Sequence, residues 1–540
     1  MVLNNKNNKK KFLFGSSALS GLLLAVSFSY SFFWILSFFA IIPYFYFLFN
    51  IKSGKKSFWG SFLFGFIYAG FITSWVWTTY PLDWAGVSSQ LLGLATLFLA
   101  WLVITLPISL FISLFGLSFY FLKKRKSLNI FFVPVLWIVF DYLRAWFFTF
   151  LIYSPETFLG PHFSIGFVGY VLAQNYNFLQ LASIGGVHIL SFLVVFVNIF
   201  VFWLFFVSRF GRDKKIAGFV LLMLFLIVVA YFPIKVFSQK QENSIELTVS
   251  VVHTSFPSFF TITSEDRENR MLVYKDLVRE MGNSEEKPDI LIFPEDSRFL
   301  KKLMDNKENF MFFNDLFGGK TSMVIDSSRI KTFENKIKSR LFFYNVQTGE
   351  YQKYDKMVLA PGGEFLASFF TNFLKLIGYG DFVKKFNNGR AYTRGELFST
   401  GSFLGHKVGG FFCNEVASLD VSKKITQNGA ELLINPSSHS TFKGSEMLKK
   451  QILDITKVRA VENNRYVVQP GNFIPSSIIS NKGEILFSSL DKDSFSVLNG
   501  KVKLINKNTF YSCFGDWVLL FLILWVVIIF NRTLSIIKFR

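Results

Sequence analysis

The 540-residue sequence is poor in the residues that build disulfide and metal sites, with only two cysteines and five histidines. The two cysteines, Cys413 and Cys513, exclude a disulfide framework. The histidines stand at positions 162, 188, 253, 406 and 439 and show none of the spacings typical of metal ligands. We therefore expect neither a metal ion nor another cofactor.

Charged residues are missing from long stretches of the chain. Residues 12–51 contain no Lys, Arg, Asp or Glu, and hydrophobic residues make up 51% of the whole sequence. This composition excludes an ordinary soluble protein and predicts two membrane-spanning helices of about 20 residues within 12–51. A cleaved signal peptide is the alternative, but the apolar run continues past any cleavage-like site, which favours a retained helix. Further spans are predicted at about 59–79, 89–122, 128–150, 186–207, 215–234 and 517–533.

Basic residues are missing from every second connection between these spans. The connections near 30–33, 80–90 and 151–185 contain no Lys or Arg, whereas 52–56, 123–126 and 209–215 are basic. The positive-inside rule then places the N terminus in the cytoplasm and the segment after the seventh span outside, and the eighth span returns the C terminus to the cytoplasm. The net charge of +21 therefore reports membrane topology, and we expect no nucleic-acid partner.

The fifth predicted span contains two ionisable residues, Asp141 and Arg144. Their i, i+3 spacing puts them on one helix face, where they can pair. A charge near the centre of a membrane helix costs about 2.5–3.5 kcal/mol, so the pair is expected to face protein or a wet cavity. Snorkelling near the outer interface is the alternative. Residues 151–185 are too broken for a plain span and predict an interfacial element beside the outer domain.

The sequence divides into a membrane part (1–234), an extracytoplasmic domain (235–512) and a C-terminal span with its tail (513–540). Apolar runs separated by amphipathic patterns predict a sheet covered by helices. The strands are predicted at 245–253, 289–293, 321–326, 341–346, 407–413, 431–435 and 466–469, and the main helices at 263–282 and 444–463. For the charged residues of the second helix and its end, a solvated face is the plain interpretation; they are Lys457, Arg459, Glu462 and Arg465. Lys482-Gly-Glu484 predicts a hairpin turn.

Three chemically active side chains stand at the edges of buried-strand patterns. Glu295 ends Pro288–Glu295, Lys356 opens Lys356–Phe365, and Cys413 is followed at once by Asn414 and Glu415. Taken alone, Cys413 is better interpreted as a core cysteine. An acid, a lysine and a cysteine in these places can instead form a nucleophilic site, in which Glu295 takes the thiol proton.

These residues, in this order, resemble the Glu-Lys-Cys triad of the carbon–nitrogen hydrolase (nitrilase) superfamily. The whole chain is similar to the apolipoprotein N-acyltransferases, the membrane-bound branch of that superfamily. Further matches are Leu143–Trp146, Gly363–Phe365, Arg459–Glu462 and Gly471-Asn472. The resemblance implies about eight transmembrane helices that carry an extracytoplasmic nitrilase-like domain, a four-layer α-β-β-α sandwich.

The resemblance also implies a function. An acyl chain would move from a membrane phospholipid, through a thioester on Cys413, to the α-amino group of the S-diacylglyceryl-cysteine at the N terminus of an apolipoprotein. Glu295 would be the base, Lys356 and the N–H of Asn414 would hold the oxyanion, and Glu364 and Glu415 would position them. We expect a monomer in the bacterial cytoplasmic (inner) membrane, with its catalytic domain on the outer, periplasmic face.

Two departures from the family pattern bear on substrate selection. Asn414 replaces the aromatic residue usual after the cysteine, and Val252–Phe260 lacks the expected Trp-Glu-like pair. The aromatic residues of 365–400 either shield the thioester at the bilayer or belong to the domain core. Two other functions stay open: a membrane-tethered amidase acting on small amides, and a non-catalytic transport or lipid-binding protein with an inactive nitrilase domain.

Overall fold

The structure is a computed structural model, and it describes most of the chain. The described residues are 6–124, 129–237, 245–258, 263–284, 286–304, 307–317, 319–321, 323–376, 378–389, 391–489, 494–517, 519–521 and 524. The last predicted span, 517–533, lies mostly outside them. The boundaries proposed for the three parts of the chain therefore stay predictions.

Seven helical segments among the described residues are long and apolar enough to cross a membrane, as predicted. The first is α1 (Lys6–Ser29), and the second joins a 3-10 helix (Ser31–Phe38) to α2 (Ile42–Asn50). The others are α3 (Gly54–Ile72), α4 (Gln90–Lys124), α5 (Phe132–Leu151), α7 (Ala182–Phe202, after the short α6, Tyr176–Leu179) and α8 (Arg212–Phe237).

The second span is broken between its two helices, and one buried side chain of α7 fills the break. Asn198 donates from Nδ2 to the carbonyl of Ser37 (2.7 Å) and accepts at Oδ1 from the N–H of Ile41 (2.9 Å). Backbone N–H and C=O groups at membrane depth need such partners because the bilayer core contains no water to hydrogen-bond with them. Hydropathy alone does not reveal this break.

Asp141 and Arg144 face the interior of the protein, which decides between the two alternatives for this pair. Both are buried, and Arg144 Nη2 lies 3.7 Å from Asp141 Oδ1. Arg144 Nη1 donates to the carbonyl of Ile165 (3.0 Å), and Trp137 Nε1 donates to Asp141 Oδ2 (3.0 Å). The pair thus joins α5 to the segment between α5 and α7.

The α/β part contains two six-stranded sheets, and every predicted strand is present. The first sheet has the order β14-β1-β2-β3-β4-β5 and the second β13-β12-β10-β8-β7-β6. The strands of the first sheet are β1 (Glu246–His253), β2 (Ile290–Ile292), β3 (Met323–Lys331), β4 (Ile337–Asn345), β5 (Tyr351–Asp355) and β14 (Ser496–Lys503). Those of the second are β6 (Thr400–Phe403), β7 (His406–Gly410), β8 (Leu432–Ile434), β10 (Tyr466–Gln469), β12 (Ser477–Ile479) and β13 (Ile485–Ser488).

The two sheets lie face to face, and helices cover their outer faces. Gly410 of β7 stands so close to Leu341 of β4 that an added Cβ would meet its side chain at 2.2 Å. A second core joins the first sheet to helices α9 (Ser264–Gly282), α10 (Phe299–Met304) and α11 (Lys307–Phe317). The remaining elements are α12 (Ser368–Leu376), α13 (Gly380–Gly389), α14 (Val421–Gln427), α15 (Glu446–Asn463) and α16 (Phe510–Phe514), with the short strands β9 (Ser437–Ser438) and β11 (Gly471–Asn472).

Two local predictions for the α/β part have different outcomes. The hairpin turn is confirmed, since Lys482-Gly-Glu484 joins β12 to β13 with Gly483 at φ +79°. The solvated face expected for the second helix is wrong. Arg459 and Glu462 are buried because α15 packs against the membrane part as well as the second sheet, and Lys457 is only partly exposed. Arg465, just beyond the helix, is buried with its guanidinium on the carbonyls of Ala430 and Lys507.

The segment between α5 and α7 lies beside the α/β domain, as predicted for an interfacial element. It contains a 3-10 helix, Val168–Gln174, and α6. The N–H of Ser164 donates to the carbonyl of Ala417 (3.2 Å), and the N–H of Leu419 donates to the carbonyl of Pro161 (3.2 Å). On the side of the α/β domain, this contact is made by Ala417 and Leu419, within a few residues of Cys413 in the chain.

Candidate active site

The ends of three strands bring the predicted site residues together. Glu295 follows β2, Lys356 follows β5 and Cys413 follows β7. The ammonium of Lys356 lies 3.3 Å from Glu295 Oε1 and 2.9 Å from Glu364 Oε1. The same Nζ stands 5.7 Å from the ring centre of Phe412, the residue before the cysteine. The site is therefore a buried lysine between two carboxylates, with the thiol beside it.

Cys413 occupies a strained turn between β7 and a 3-10 helix, Cys413–Ala417. Its φ is +23°, which residues with a side chain rarely adopt. The turn is held because the N–H of Cys413 donates to the carbonyl of Pro436 (2.9 Å), and its Sγ lies 3.8 Å from the carbonyl of Ser438. Such strain persists only where the surroundings enforce it, and it is concentrated at functional sites.

Glu415 fastens the cysteine turn to the lysine turn. Its carboxylate accepts from the N–H groups of Phe412 (2.6 Å), Met357 (2.8 Å) and Val358 (2.9 Å), and from the hydroxyl of Tyr354 (2.9 Å). Burial raises the pKa of Glu415 to about 7, against the lowering effect of these backbone donors. The residue joins two loops that are distant in sequence.

Glu364 holds the side chain of Lys356 against the loop that follows it. One carboxylate oxygen accepts from the ammonium, and the other accepts from the N–H of Ala360 at 2.6 Å. The loop closes because Gly362, between them, takes φ +80°, a conformation that suits glycine. Glu364 therefore fixes the direction of the lysine side chain.

Asn414 connects the same two turns through its side chain. Its Nδ2 donates to the carbonyl of Val358 (3.0 Å), beside the amide that Glu415 binds. Its own N–H belongs to the first turn of a helix, where backbone donors have no partner within the helix. This N–H is next to the thiol in the chain, which suits the predicted role as an oxyanion donor.

The electrostatics of the site favour the protonated form of the Cys413 thiol. Burial raises the pKa of Cys413 to about 12, and the negative charge of Glu295 adds to the rise. The positive charge of Lys356 lowers the pKa of the thiol, but burial outweighs this effect. Burial also raises the pKa of Glu295, while Lys356 opposes the rise. For Lys356, the two carboxylates outweigh burial and raise its pKa. The thiol thus needs a base to lose its proton.

Sequence reasoning missed the group that holds the backbone after Glu295. Asp296, at φ +61°, accepts from Arg298 Nε (2.8 Å) and Nη2 (2.9 Å), and Arg329 Nε lies 3.0 Å from its carboxylate. The guanidinium of Arg329 also lies 5.6 Å from the ring of Tyr392. The sequence signal for this group was Asp296 and Arg298 just after the end of β2. Their partner Arg329 is remote in sequence, so the group could not be recognised from the sequence.

The Gly471-Asn472 match also has a structural reason. Asn472 accepts at Oδ1 from the N–H of Phe256 (2.7 Å) and donates from Nδ2 to its carbonyl (3.0 Å). Nδ2 also lies 3.0 Å from Ser438 Oγ, in the residue whose carbonyl faces the cysteine thiol. Within the described ranges, no three His, Cys, Asp or Glu side chains are placed to hold a metal ion.

Comparisons with known proteins match both halves of the chain. One family model, the apolipoprotein N-acyltransferase N-terminal domain, matches residues 20–200, and another, carbon-nitrogen hydrolase, matches residues 333–504. The apolipoprotein N-acyltransferase of Geobacter metallireducens is 24% identical over 71% of this chain and 70% of its own length. That of Aquifex aeolicus is 24% identical over 89% of this chain and 97% of its own. The crystal structure of a carbon–nitrogen hydrolase from Helicobacter pylori G27 aligns with 48% of this chain and 89% of its own at 16% identity and a TM-score of 0.35.

The matches and the fold define a class: a helical membrane protein that carries a carbon–nitrogen hydrolase domain. Within that class, the chain is similar to the apolipoprotein N-acyltransferases, both in its N-terminal domain and over most of its length. Lys356, Glu364, Cys413 and Glu415 lie inside the region matched by the hydrolase model, whereas Glu295 precedes it.

Proposed function

We propose that this acyltransferase takes its acyl chain from a membrane phospholipid and carries it as a thioester on Cys413. Its similarity to the apolipoprotein N-acyltransferases supports N-acylation of lipoproteins, at the α-amino group of the S-diacylglyceryl-cysteine. The enzyme acts as a monomer in the bacterial cytoplasmic membrane. Both termini lie in the cytoplasm and the α/β domain on the outer face, which the alternation of basic connections supports.

In the first half-reaction, Glu295 takes the proton of the Cys413 thiol while Sγ attacks the ester carbonyl carbon of the phospholipid. The oxyanion that forms is held by Lys356 and the N–H of Asn414. When the tetrahedral intermediate collapses, the bond from carbon to the glycerol oxygen breaks. Glu295 returns its proton to that oxygen, so a lysophospholipid leaves and the acyl-thioester remains.

In the second half-reaction, the free α-amine of the acceptor attacks the thioester carbonyl. Glu295 takes the proton that the amine loses, and the same two donors hold the second oxyanion. The carbon–sulfur bond then breaks, the proton returns to the sulfur of Cys413, and the acceptor leaves with an amide bond. The site's own residues supply each proton transfer.

One observation carries this proposal: the Glu295–Lys356–Glu364 cluster adjoins a cysteine turn that is hydrogen-bonded to the membrane part. A base is needed because the thiol has a raised pKa, and Glu295 is ionised above its own pKa. Both lipid substrates reside in a bilayer. A turn in contact with the interfacial element is therefore in the right place for them.

Mass spectrometry of the purified full-length protein given phospholipid with a labelled acyl chain tests the proposal. We expect one acyl adduct on Cys413, which disappears when an S-diacylglyceryl-cysteine peptide is added and reappears as N-acylated peptide. Cys513→Ser is the matched control, because Cys513 is the other free cysteine and is exposed. It should acylate like the parent, whereas Cys413→Ala should carry no label.

Equal labelling of the parent and Cys413→Ala would contradict the thioester mechanism. Turnover of small soluble amides without any lipid adduct would instead favour an amidase. An unlabelled parent with no turnover would favour a non-catalytic lipid-binding protein.

A further inference from the structure

Arg459 of α15 is fully buried where the membrane part meets the cysteine turn. Its Nε donates to the carbonyl of Val416 (3.0 Å), three residues after the nucleophile. Its Nη2 donates to the hydroxyl of Tyr170 (2.6 Å), in the interfacial 3-10 helix. One guanidinium therefore binds the catalytic turn and the membrane part at the same time.

A second path joins the same two places through hydroxyl groups. The Tyr170 hydroxyl lies 2.6 Å from Ser164 Oγ, and Ser164 Oγ donates to the carbonyl of Ala417 at 2.6 Å. Arginine can only donate and a carbonyl can only accept, so the direction of the whole chain is set. It runs from Arg459 to Tyr170, then to Ser164, and ends on the carbonyl of Ala417.

The partner of Arg459 extends the link to the sixth span. Nη1 donates to Glu462 Oε2, and Glu462 Oε1 accepts from the N–H of Val187 (2.9 Å). Val187 follows Gly185 and Gly186, where α7 departs from helical geometry. The ion pair thus joins α15, the cysteine turn, the interfacial element and the start of a membrane span.

A buried ion pair of this kind is poor evidence for stability, because desolvation offsets most of its attraction. What it can supply is a fixed register between the parts it joins. The cysteine turn is strained and its neighbours enforce its geometry. Hydrogen bonds to the carbonyls of Val416 and Ala417 are well placed for that purpose.

We propose that Arg459, Tyr170 and Ser164 are positioning residues, through which the membrane part sets the geometry of the nucleophile. The membrane part is then more than an anchor, since it holds the turn that carries Cys413 in its reactive position. This inference rests on the proposed role of Cys413 as the nucleophile. None of the three residues is assigned contact with substrate.

The test uses the full-length protein in lipid nanodiscs and measures the single-turnover rate of Cys413 acylation from labelled phospholipid. Tyr170→Phe removes one hydroxyl from the chain and keeps the ring. We expect it to slow acylation by about 10–10²-fold, since a displacement on the order of 1 Å costs about that much. The KM for phospholipid and the melting temperature should stay near those of the parent. Tyr176→Phe, in the same interfacial element, is the matched control and should acylate at the parent rate.

A double-variant comparison separates coupling from independent damage. Ser164→Ala should slow acylation like Tyr170→Phe, and the two together should slow it no further than one alone, because they interrupt one chain. Arg459→Lys should slow acylation more, since an ammonium cannot reproduce the planar fork of donors. Arg459→Lys also tests the inference if Tyr170→Phe or Ser164→Ala folds poorly.

Three results would overturn the inference: an acylation rate for Tyr170→Phe within about twofold of the parent, strictly multiplicative losses in the double variant, or a loss that appears only as a higher KM. Acylation of the parent protein distinguishes a failure of this inference from a failure of the proposed function. If the parent itself forms no adduct on Cys413, the proposed function falls and this inference falls with it. If the parent is acylated and the variants match it, only this inference fails.

Discussion

At the scale of single residues, the proposed mechanism makes the reaction depend on the protonation of Glu295. A carboxyl group with a raised pKa is ionised only above that pKa, so its ability to take a proton is lost as the pH falls through it. Acylation should therefore decline on the acidic side at a higher pH than an ordinary glutamate would give. Glu295→Gln should slow acylation by about 10²–10⁴-fold.

The remaining acylation of Glu295→Gln should lack this acidic decline and should rise with pH, toward ionisation of the buried thiol. The measurement is the single-turnover acylation rate against pH for both proteins. Glu334→Gln is the control, because Glu334 is exposed in the β3–β4 turn and pairs only with Lys336 among the described residues. An acidic decline that persists in Glu295→Gln would assign it to another group.

At the scale of elements, α12 and α13 present aromatic side chains to the surface. Phe369 and Phe373 are each about half exposed, and both lie on one face of α12. This decides against the domain-core alternative for these two residues. The N–H of Ser368, at the start of α12, donates to the carbonyl of Tyr153 just beyond α5 (2.7 Å). The helix therefore begins where a membrane span ends, as an interfacial helix would.

If α12 lies in the bilayer surface, Phe369→Ser with Phe373→Ser should weaken its insertion by roughly 1.5 kcal/mol or more per ring. Acylation from phospholipid in liposomes should then fall by about tenfold or more, with a smaller loss in detergent micelles. Asn372→Ser, an exposed polar position of the same helix, is the control. Equal losses in liposomes and micelles would argue for a local structural defect instead.

At the scale of the whole molecule, the proposed arrangement across the membrane rests on the positions of the basic connections. In a Cys413→Ser/Cys513→Ser background, we expect Phe333→Cys to react with a membrane-impermeant maleimide in intact spheroplasts. Phe333 is fully exposed in the β3–β4 turn of the α/β domain. Lys55→Cys, in a basic connection, should react only after lysis. Labelling of Lys55→Cys alone in intact spheroplasts would invert the topology.

Much of the architecture could be predicted from the sequence because its signals are local. A span is a continuous apolar run, and a buried strand is a short one, so seven spans and seven of the twelve strands in the two large sheets were found. Glu295, Lys356 and Cys413 were found because each stands at a strand end. Their order along the chain then matched the Glu-Lys-Cys order of the carbon–nitrogen hydrolase superfamily.

Tertiary structure alone decided where the polar groups point, because their partners are distant in sequence. Arg459 looked like part of a solvated face, but it meets Tyr170 of the membrane part, 289 residues away. Asp141 and Arg144 could have faced either interior or interface until Ile165 was placed beside them. The sequence by itself determined the membrane spans, the main buried strands and the candidate site residues. Packing determined what holds them, since a buried polar group must be matched by whatever the fold places next to it.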